Sequence, residues 1–203
     1  MILAALVLIN LVAHFIPFER AALSLDDLSR LLSSRWSVHL LTTVMRNSLD
    51  YPLIVFHNLI VMTAGENPFL RVLYVFVSSS LVTVMLYLVL RELLEQEKTA
   101  FLGALLYNLL PNKLALYHTL EYTYIHLALE LYLLSILLFL LFLKKERRSF
   151  FVGSLVCYTV AIFWYLLGFF LPAVFAIYAL LFYPKKTRTL WPFLIPAVAY
   201  VIW

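Results

Sequence analysis

A run of 34 residues without a charged side chain, Phe150–Tyr183, is the feature that most restricts how this sequence can fold. At about 1.5 Å per residue, one helix of that length would reach about 51 Å, whereas the hydrocarbon core of a bilayer is about 30 Å thick. We therefore expect two short membrane helices that turn near residues 165–168. The composition agrees, because 65% of the residues are hydrophobic and only 13% are charged, which predicts an integral membrane protein.

Apolar stretches of similar character account for most of the remaining chain. The predicted fold class is all-α, a transmembrane bundle of about seven spans that forms a single unit over residues 1–203. The first stretch lacks the basic start and the small-residue cleavage site of a signal peptide, so we interpret it as a retained span. Besides the two spans within the uncharged run, the predicted spans are Met1–Phe18, Phe69–Leu90, Thr99–His118 (interrupted by Pro111 and Asn112), Tyr122–Leu143 and a seventh over Leu190–Trp203.

The distribution of Lys and Arg predicts the orientation of these spans. Three short loops, 91–98, 144–148 and 185–188, fall on one face of the predicted bundle and contain nine Lys and Arg residues. Because basic loops stay in the cytoplasm, residues 19–67 are predicted to lie outside a plasma (inner) membrane. The basic clusters are short and adjoin apolar runs, which indicates the lipid bilayer and not nucleic acid as the partner.

The long outer loop, Glu19–Asn67, carries an acidic pair, Asp26-Asp27, and is not of low complexity. Ser24 begins a capping-box pattern, which predicts an amphipathic helix at the membrane surface. The apolar run 51–64 is too short to span and suits an interfacial or re-entrant helix. Acidic residues in a first helical turn also fit the helix dipole, or an ordinary i,i+4 pair of Asp26 with Arg30, so the residues alone leave the purpose of the pair open.

Three motifs then follow one another in a recognisable order. The acidic pair comes after the first span, Asp50-Tyr51-Pro52-Leu53 opens an apolar run that contains His57, and Gly65-Glu66-Asn67-Pro68-Phe69-Leu70-Arg71 leads into the second span. This order resembles the amino-terminal module of the polyprenyl-phosphate-dependent GT-C glycosyltransferases, in particular the protein mannosyltransferase and lipid A aminoarabinose transferase branch. The resemblance covers residues 1–140. The family's double proline is Tyr51-Pro52 here. Tyr122 stands where many members have the Arg of an Arg-x-Tyr motif, so one phosphate contact that the resemblance implies has no residue assigned to it.

The resemblance implies transfer of a sugar, with inversion, from a polyprenyl-phosphate donor to an acceptor glycan, lipid or protein on the outer face. In that reaction Asp26 is the general base that takes the acceptor's proton, and Asp27 supports it. Asp27 could do so through a divalent cation. The cofactor is otherwise unknown, and no residue is assigned as a metal ligand. Arg suits bidentate contact with the leaving phosphate, although an Arg at the end of a span also reaches the interface without any ligand. The residues predicted to bind substrate are Arg71, Arg30, Asp50, His57, Glu121 and Tyr124.

Two other functions stay open at this point. The first is a non-catalytic GT-C-like membrane subunit or partner-docking module, which the missing Arg of span four favours. The second is a transporter built around His126 and Glu130, which are four residues apart on one face of span four. An ionised group at that depth costs about 2.5–3.5 kcal/mol, so Glu130 is predicted to face the bundle with a partner, His126 being the nearest. A transporter would also be expected to contain an internal repeat, and we find none.

Overall fold

The computed structural model describes residues 2–15, 68–109, 123–165 and 168–202, and within those ranges the chain is helical throughout apart from short turns. The predicted all-α fold class is therefore confirmed. In chain order the elements are α1 (Ile2–Phe15), α2 (Pro68–Leu94), α3 (Glu97–Leu109), α4 (Thr123–Lys145), α5 (Arg148–Trp164), α6 (Leu171–Phe182), a 3₁₀ segment (Pro184–Phe193) and α7 (Leu194–Ile202).

Two of these helices are long and apolar enough to cross a membrane, over Leu73–Leu94 in α2 and Ile125–Lys145 in α4. Their full lengths of 27 and 23 residues correspond to about 40 and 35 Å. α1, α5 and α6 are shorter apolar helices that coincide with predicted spans. The count of about seven crossings remains a prediction.

The long uncharged run divides into two helices, as predicted. α5 ends at Trp164, where the N–H of Tyr165 still bonds the carbonyl of Ala161, and α6 begins at Leu171. Pro172 lies in the first turn of α6, where a missing N–H leaves no helical hydrogen bond unmade. The hydroxyl of Tyr132 on α4 donates a hydrogen bond to the carbonyl of Tyr165, which fastens the turn to α4.

The seventh helix begins later than predicted. Leu190, its expected start, lies inside the 3₁₀ segment, and α7 begins only at Leu194. Pro192 explains the difference, since it has no N–H to donate and disfavours α-helical geometry at the residue before it.

The three basic loops meet at one end of the bundle. Lys144 donates hydrogen bonds to the backbone carbonyl of Glu92 at 2.7 Å and to the carboxylate of Glu95 at 3.0 Å, which joins the loop after α4 to the loop after α2. Lys186, in the 3₁₀ segment, pairs with Glu146 at 2.8 Å and so joins the third loop to the second. These contacts confirm that the loops share one end. We call the opposite end of the bundle the far end.

The two glutamates in these links also terminate their helices. Glu95 and Glu146 have left-handed φ angles of 55° and 57°, at the position after a helix where glycine is the usual residue. Each carboxyl group reaches a lysine of the next loop, an interaction that glycine could not make. The hydrogen bond from Lys186 lowers the pKa of the Glu146 carboxyl, so this contribution to stability is present above the usual carboxyl pKa and is lost as the pH falls through the lowered one.

We expect Lys186→Met to lower the melting temperature by about 2–4 °C. The ammonium donates a hydrogen bond of 2.6 Å to the carbonyl of Leu143, near the end of α4, and methionine keeps the apolar stem but loses that bond. Lys185→Met is the matched control, because the neighbouring side chain is exposed. Equal melting temperatures for the two variants in detergent would contradict this prediction.

α4 separates two parts of the interior that differ in the kinds of side chain they bury. Towards α5, α6 and α7 the core is aromatic, with Phe139 stacked on Phe175 at a centroid distance of 4.1 Å and Phe193 set edge-on to both rings. Towards α1, α2 and α3 the buried side chains include a group of polar ones. The aromatic part holds one buried serine pair, Ser135 and Ser154, whereas the other buried polar side chains lie in the second part, which is therefore where we look for a site.

Candidate functional site

Most of the residues that the sequence predicts for the site lie outside the described ranges. These are Asp26, Asp27, Arg30, Asp50, His57 and Glu121. Their placement therefore remains a prediction.

Arg71 and Tyr124 lie on described helical backbone. Arg71 is in the first turn of α2, and Tyr124 is in the first turn of α4. The two helices run parallel, because the Lys144 contacts bring their last turns together. Both positions therefore lie at the far end, which is the end predicted to carry the reaction.

Three successive serines of α2, Ser78, Ser79 and Ser80, are the centre of the buried polar group, and all three are less than 10% exposed. Successive residues of a helix point about 100° apart, so three in a row can face two different neighbouring helices. Asn10 of α1 uses both ends of its amide on two of them: its Nδ2 donates to Ser80 Oγ at 2.7 Å, and its Oδ1 accepts from Ser79 Oγ at 3.1 Å. The side chain of Asn10 is 1% exposed.

The third serine faces the opposite neighbour. Ser78 donates a hydrogen bond of 2.8 Å to the carboxyl group of Glu130 on α4. Glu130 is half-buried, and His126, one turn nearer the far end, is buried. The prediction that Glu130 faces the bundle with a partner is thus confirmed. The partner that the structure shows for Glu130 is Ser78 of another helix, and not the predicted His126. The reason is that the Ser78 hydroxyl lies directly across the α2–α4 contact from Glu130.

A further contact extends this group towards the middle of the bundle. The hydroxyl of Thr83 lies 2.8 Å from Oδ1 of Asn108 on α3 and 3.0 Å from the backbone carbonyl of Ser79. We call the seven side chains joined by these hydrogen bonds the polar belt. Every one except Glu130 is buried, and together they connect α1, α2, α3 and α4: Asn10, Ser78, Ser79, Ser80, Thr83, Asn108 and Glu130.

The chemistry available to the belt is limited. Interhelical hydrogen bonds in membranes stabilise by about 0.6 kcal/mol on average and about 1.7 at most, so the belt contributes modestly to stability. Across the described ranges, no three His, Cys, Asp or Glu side chains come together in a way that could hold a metal ion. The belt therefore fixes the positions of α1, α2 and α4 relative to one another below the far end.

The sequence does contain a signal for this belt that was missed. Asn10 interrupts the first predicted span and the serine triplet interrupts the second, and neither was singled out as a candidate site. Polar residues inside a membrane-length stretch need partners, so an isolated asparagine and three adjacent serines predict contacts between spans. Only the structure shows which spans are joined.

Comparison with known proteins gives a family match. The family model described as dolichyl-phosphate-mannose-protein mannosyltransferase matches residues 50–203, which is well over half of the chain. No curated protein and no solved structure matches. The matched range includes the helices that carry Arg71, Tyr124 and Glu130, and it begins after the acidic pair.

Proposed function

We infer the function from one premise: this chain belongs to the dolichyl-phosphate-mannose-protein mannosyltransferase family. It is accordingly a membrane glycosyltransferase of the GT-C type, and the two membrane-length helices agree with that. The family match over residues 50–203 is the observation that carries this conclusion. The donor, the acceptor and the residues that act on them are proposed from the chemistry below.

The proposed reaction moves a sugar from a polyprenyl-phosphate donor to an acceptor on the extracytoplasmic face of the plasma membrane. An acceptor hydroxyl or amine attacks the anomeric carbon from the side opposite the phosphate. The bond from that carbon to the phosphate oxygen breaks, and its electron pair stays on the polyprenyl phosphate. The acceptor's proton goes to a base, so the products are an inverted glycoside and the free lipid phosphate.

Asp26 is the proposed base, and Asp27 supports it, either directly or by holding a divalent cation. The departing lipid phosphate gains charge, which a guanidinium group can stabilise through paired hydrogen bonds. Arg71 suits this role because it lies in the first turn of α2, at the far end. Arg30 is the second candidate for the phosphate, and the other proposed substrate contacts are Asp50, His57, Glu121 and Tyr124.

The orientation of the bundle supports an extracytoplasmic reaction. Three loops that contain nine Lys and Arg residues meet at one end, and the positive-inside rule assigns that end to the cytoplasm. The far end, from which α1 leads towards the acidic pair, is then extracytoplasmic. A polyprenyl-phosphate sugar in the outer leaflet would present its headgroup at that level.

The test is a transfer assay on the purified protein in liposomes. A panel of short-chain polyprenyl-phosphate hexoses and pentoses would be supplied with and without a chelator, and release of polyprenyl phosphate would be followed. We expect release that depends on an acceptor and a product of inverted configuration. Intact donor across the whole panel, from protein that is folded, would instead support the non-catalytic module.

A further inference from the structure

We propose that Asn10 and Glu130 are positioning residues of the transfer reaction, which hold α1 and α4 in one fixed register against the serine triplet Ser78–Ser80 of α2. The inference rests on the proposed function, since it names side chains that set the geometry of that reaction. Neither residue is proposed to touch substrate.

The contacts themselves form a clamp on both sides of α2. Asn10 bonds two of the serines from α1, and Glu130 bonds the third from α4, with donor–acceptor distances between 2.7 and 3.1 Å. The partners are 52 to 70 residues apart in sequence, so the bonds fix tertiary and not local structure. Three helices are thereby joined at one level of the bundle.

That level lies about 10 to 15 Å below the far end. Ser78 is ten residues, or about 15 Å, from the start of α2, and Glu130 is seven residues, or about 10 Å, from the start of α4. The chain runs from the end of α1 at Phe15 to Asp26 in eleven residues, and α2 carries Arg71 in its first turn. The helices that the clamp joins therefore include the one that precedes the proposed base in sequence and the one that carries the proposed phosphate contact.

Hydrogen bonds can fix the relative position of two membrane helices, which apolar packing alone does not do. Two apolar helix surfaces in a membrane can slide or rotate a little and still be in contact, whereas a bond of 2.7 Å is lost when one helix shifts by about 1 Å. A displacement of that size at a reacting centre can lower a rate by about 100-fold. The clamp is therefore expected to affect turnover more than it affects folding.

Asn10→Leu is the first test, because leucine has the same number and branching of side-chain heavy atoms and makes no hydrogen bond. The serine hydroxyls left behind can bond carbonyls of their own helix, so no buried group is stranded. We expect kcat for sugar transfer to fall by about 10- to 100-fold, with the KM for the donor within about threefold of wild type. Ser154→Ala is the matched control, since it removes an equally buried bond between α4 and α5 in the aromatic half and should leave kcat unchanged.

Two variants of Glu130 distinguish a positioning role, which needs only the hydrogen bond from Ser78, from a role that needs the charge or the proton of the carboxyl group. Glutamine keeps an oxygen that can accept the bond from Ser78, so Glu130→Gln should retain kcat within about threefold, while Glu130→Leu should lose about as much as Asn10→Leu. A glutamine variant as inactive as the leucine variant would overturn the positioning role of Glu130, because it would mean that the carboxyl group acts through its charge or its proton.

A distance measurement tests the clamp without using activity. Spin labels at V12C on α1 and L73C on α2, two exposed sites, would be introduced into a Cys157→Ala background, since Cys157 is the chain's single cysteine. We expect the distance distribution to broaden or shift in Asn10→Leu. An unchanged distribution would overturn the inference, as would an unchanged kcat. If the wild-type protein transfers no sugar, the proposed function fails and the distance measurement alone decides on the clamp.

Discussion

Asp26→Asn is expected to abolish sugar transfer, with kcat lower by about 10²- to 10⁴-fold, while folding and donor binding stay close to wild type. Asparagine has nearly the same shape as aspartate but cannot take up the acceptor's proton. The loss should therefore appear in turnover of the polyprenyl-phosphate sugar and not in its affinity. Single-turnover assays together with a separate donor-binding titration would measure the two effects independently.

The alternative role for Asp26 predicts a different result. If the carboxylate only favours the positive end of a helix dipole or pairs with Arg30, its contribution is about 0.3–1 kcal/mol of stability. Asp26→Asn would then be fully active and slightly less stable, and that outcome would count decisively against the proposed base. Asp27→Asn tests the neighbouring carboxylate. If Asp27 helps to hold a divalent cation, the activity of this variant should depend more steeply on added Mg²⁺ or Mn²⁺ than that of wild type.

The helices could be predicted from the sequence because their ends depend on local features. The length of Phe150–Tyr183 alone required a turn, and the structure has that turn between α5 and α6. Charged residues at the ends of apolar runs likewise located the ends of α2 and α4, which lie four and two residues beyond the predicted span ends at Leu90 and Leu143. A local feature was overlooked at Leu190, where Pro192 delays the regular helix to Leu194.

Contacts between helices could not be predicted in the same way. Periodicity shows which residues share a face of one helix, so it suggested His126 as the partner of Glu130. The structure shows a hydrogen bond from Ser78, 52 residues earlier, because the partner across a helix interface depends on which helices are neighbours and on their axial register. The proposed catalytic pair lies outside the described ranges, and its assignment rests on the order of motifs in the sequence.

Gly168→Ala is expected to destabilise the protein by about 2–4 kcal/mol, the largest effect on stability that the structure indicates. A Cβ atom at Gly168 would lie 2.1 Å from Cε1 and 2.5 Å from Cδ1 of the Tyr132 ring. That ring is 4% exposed and packs beside Tyr158, with ring centroids 6.4 Å apart, so it has little room to move aside. Displacing it would also break the hydrogen bond from its hydroxyl to Tyr165, which fastens the α5–α6 turn to α4.

The measurement is thermal unfolding in detergent, where this change should lower the melting temperature by about 5–15 °C. Gly103→Ala is the matched control, because the new Cβ would meet only the flexible side chain of Leu90, at 2.7 Å from its Cδ1 and 4.0 Å from its Cγ. Alanine is also the better helix former by about 1 kcal/mol, so Gly103→Ala should be nearly neutral or stabilising.

Combining Gly168→Ala with Tyr132→Leu should recover part of the stability lost in Gly168→Ala, because the shorter side chain frees the space that the new methyl group needs. Equal melting temperatures for the two glycine variants would show that the turn is not held against Tyr132 as the structure indicates.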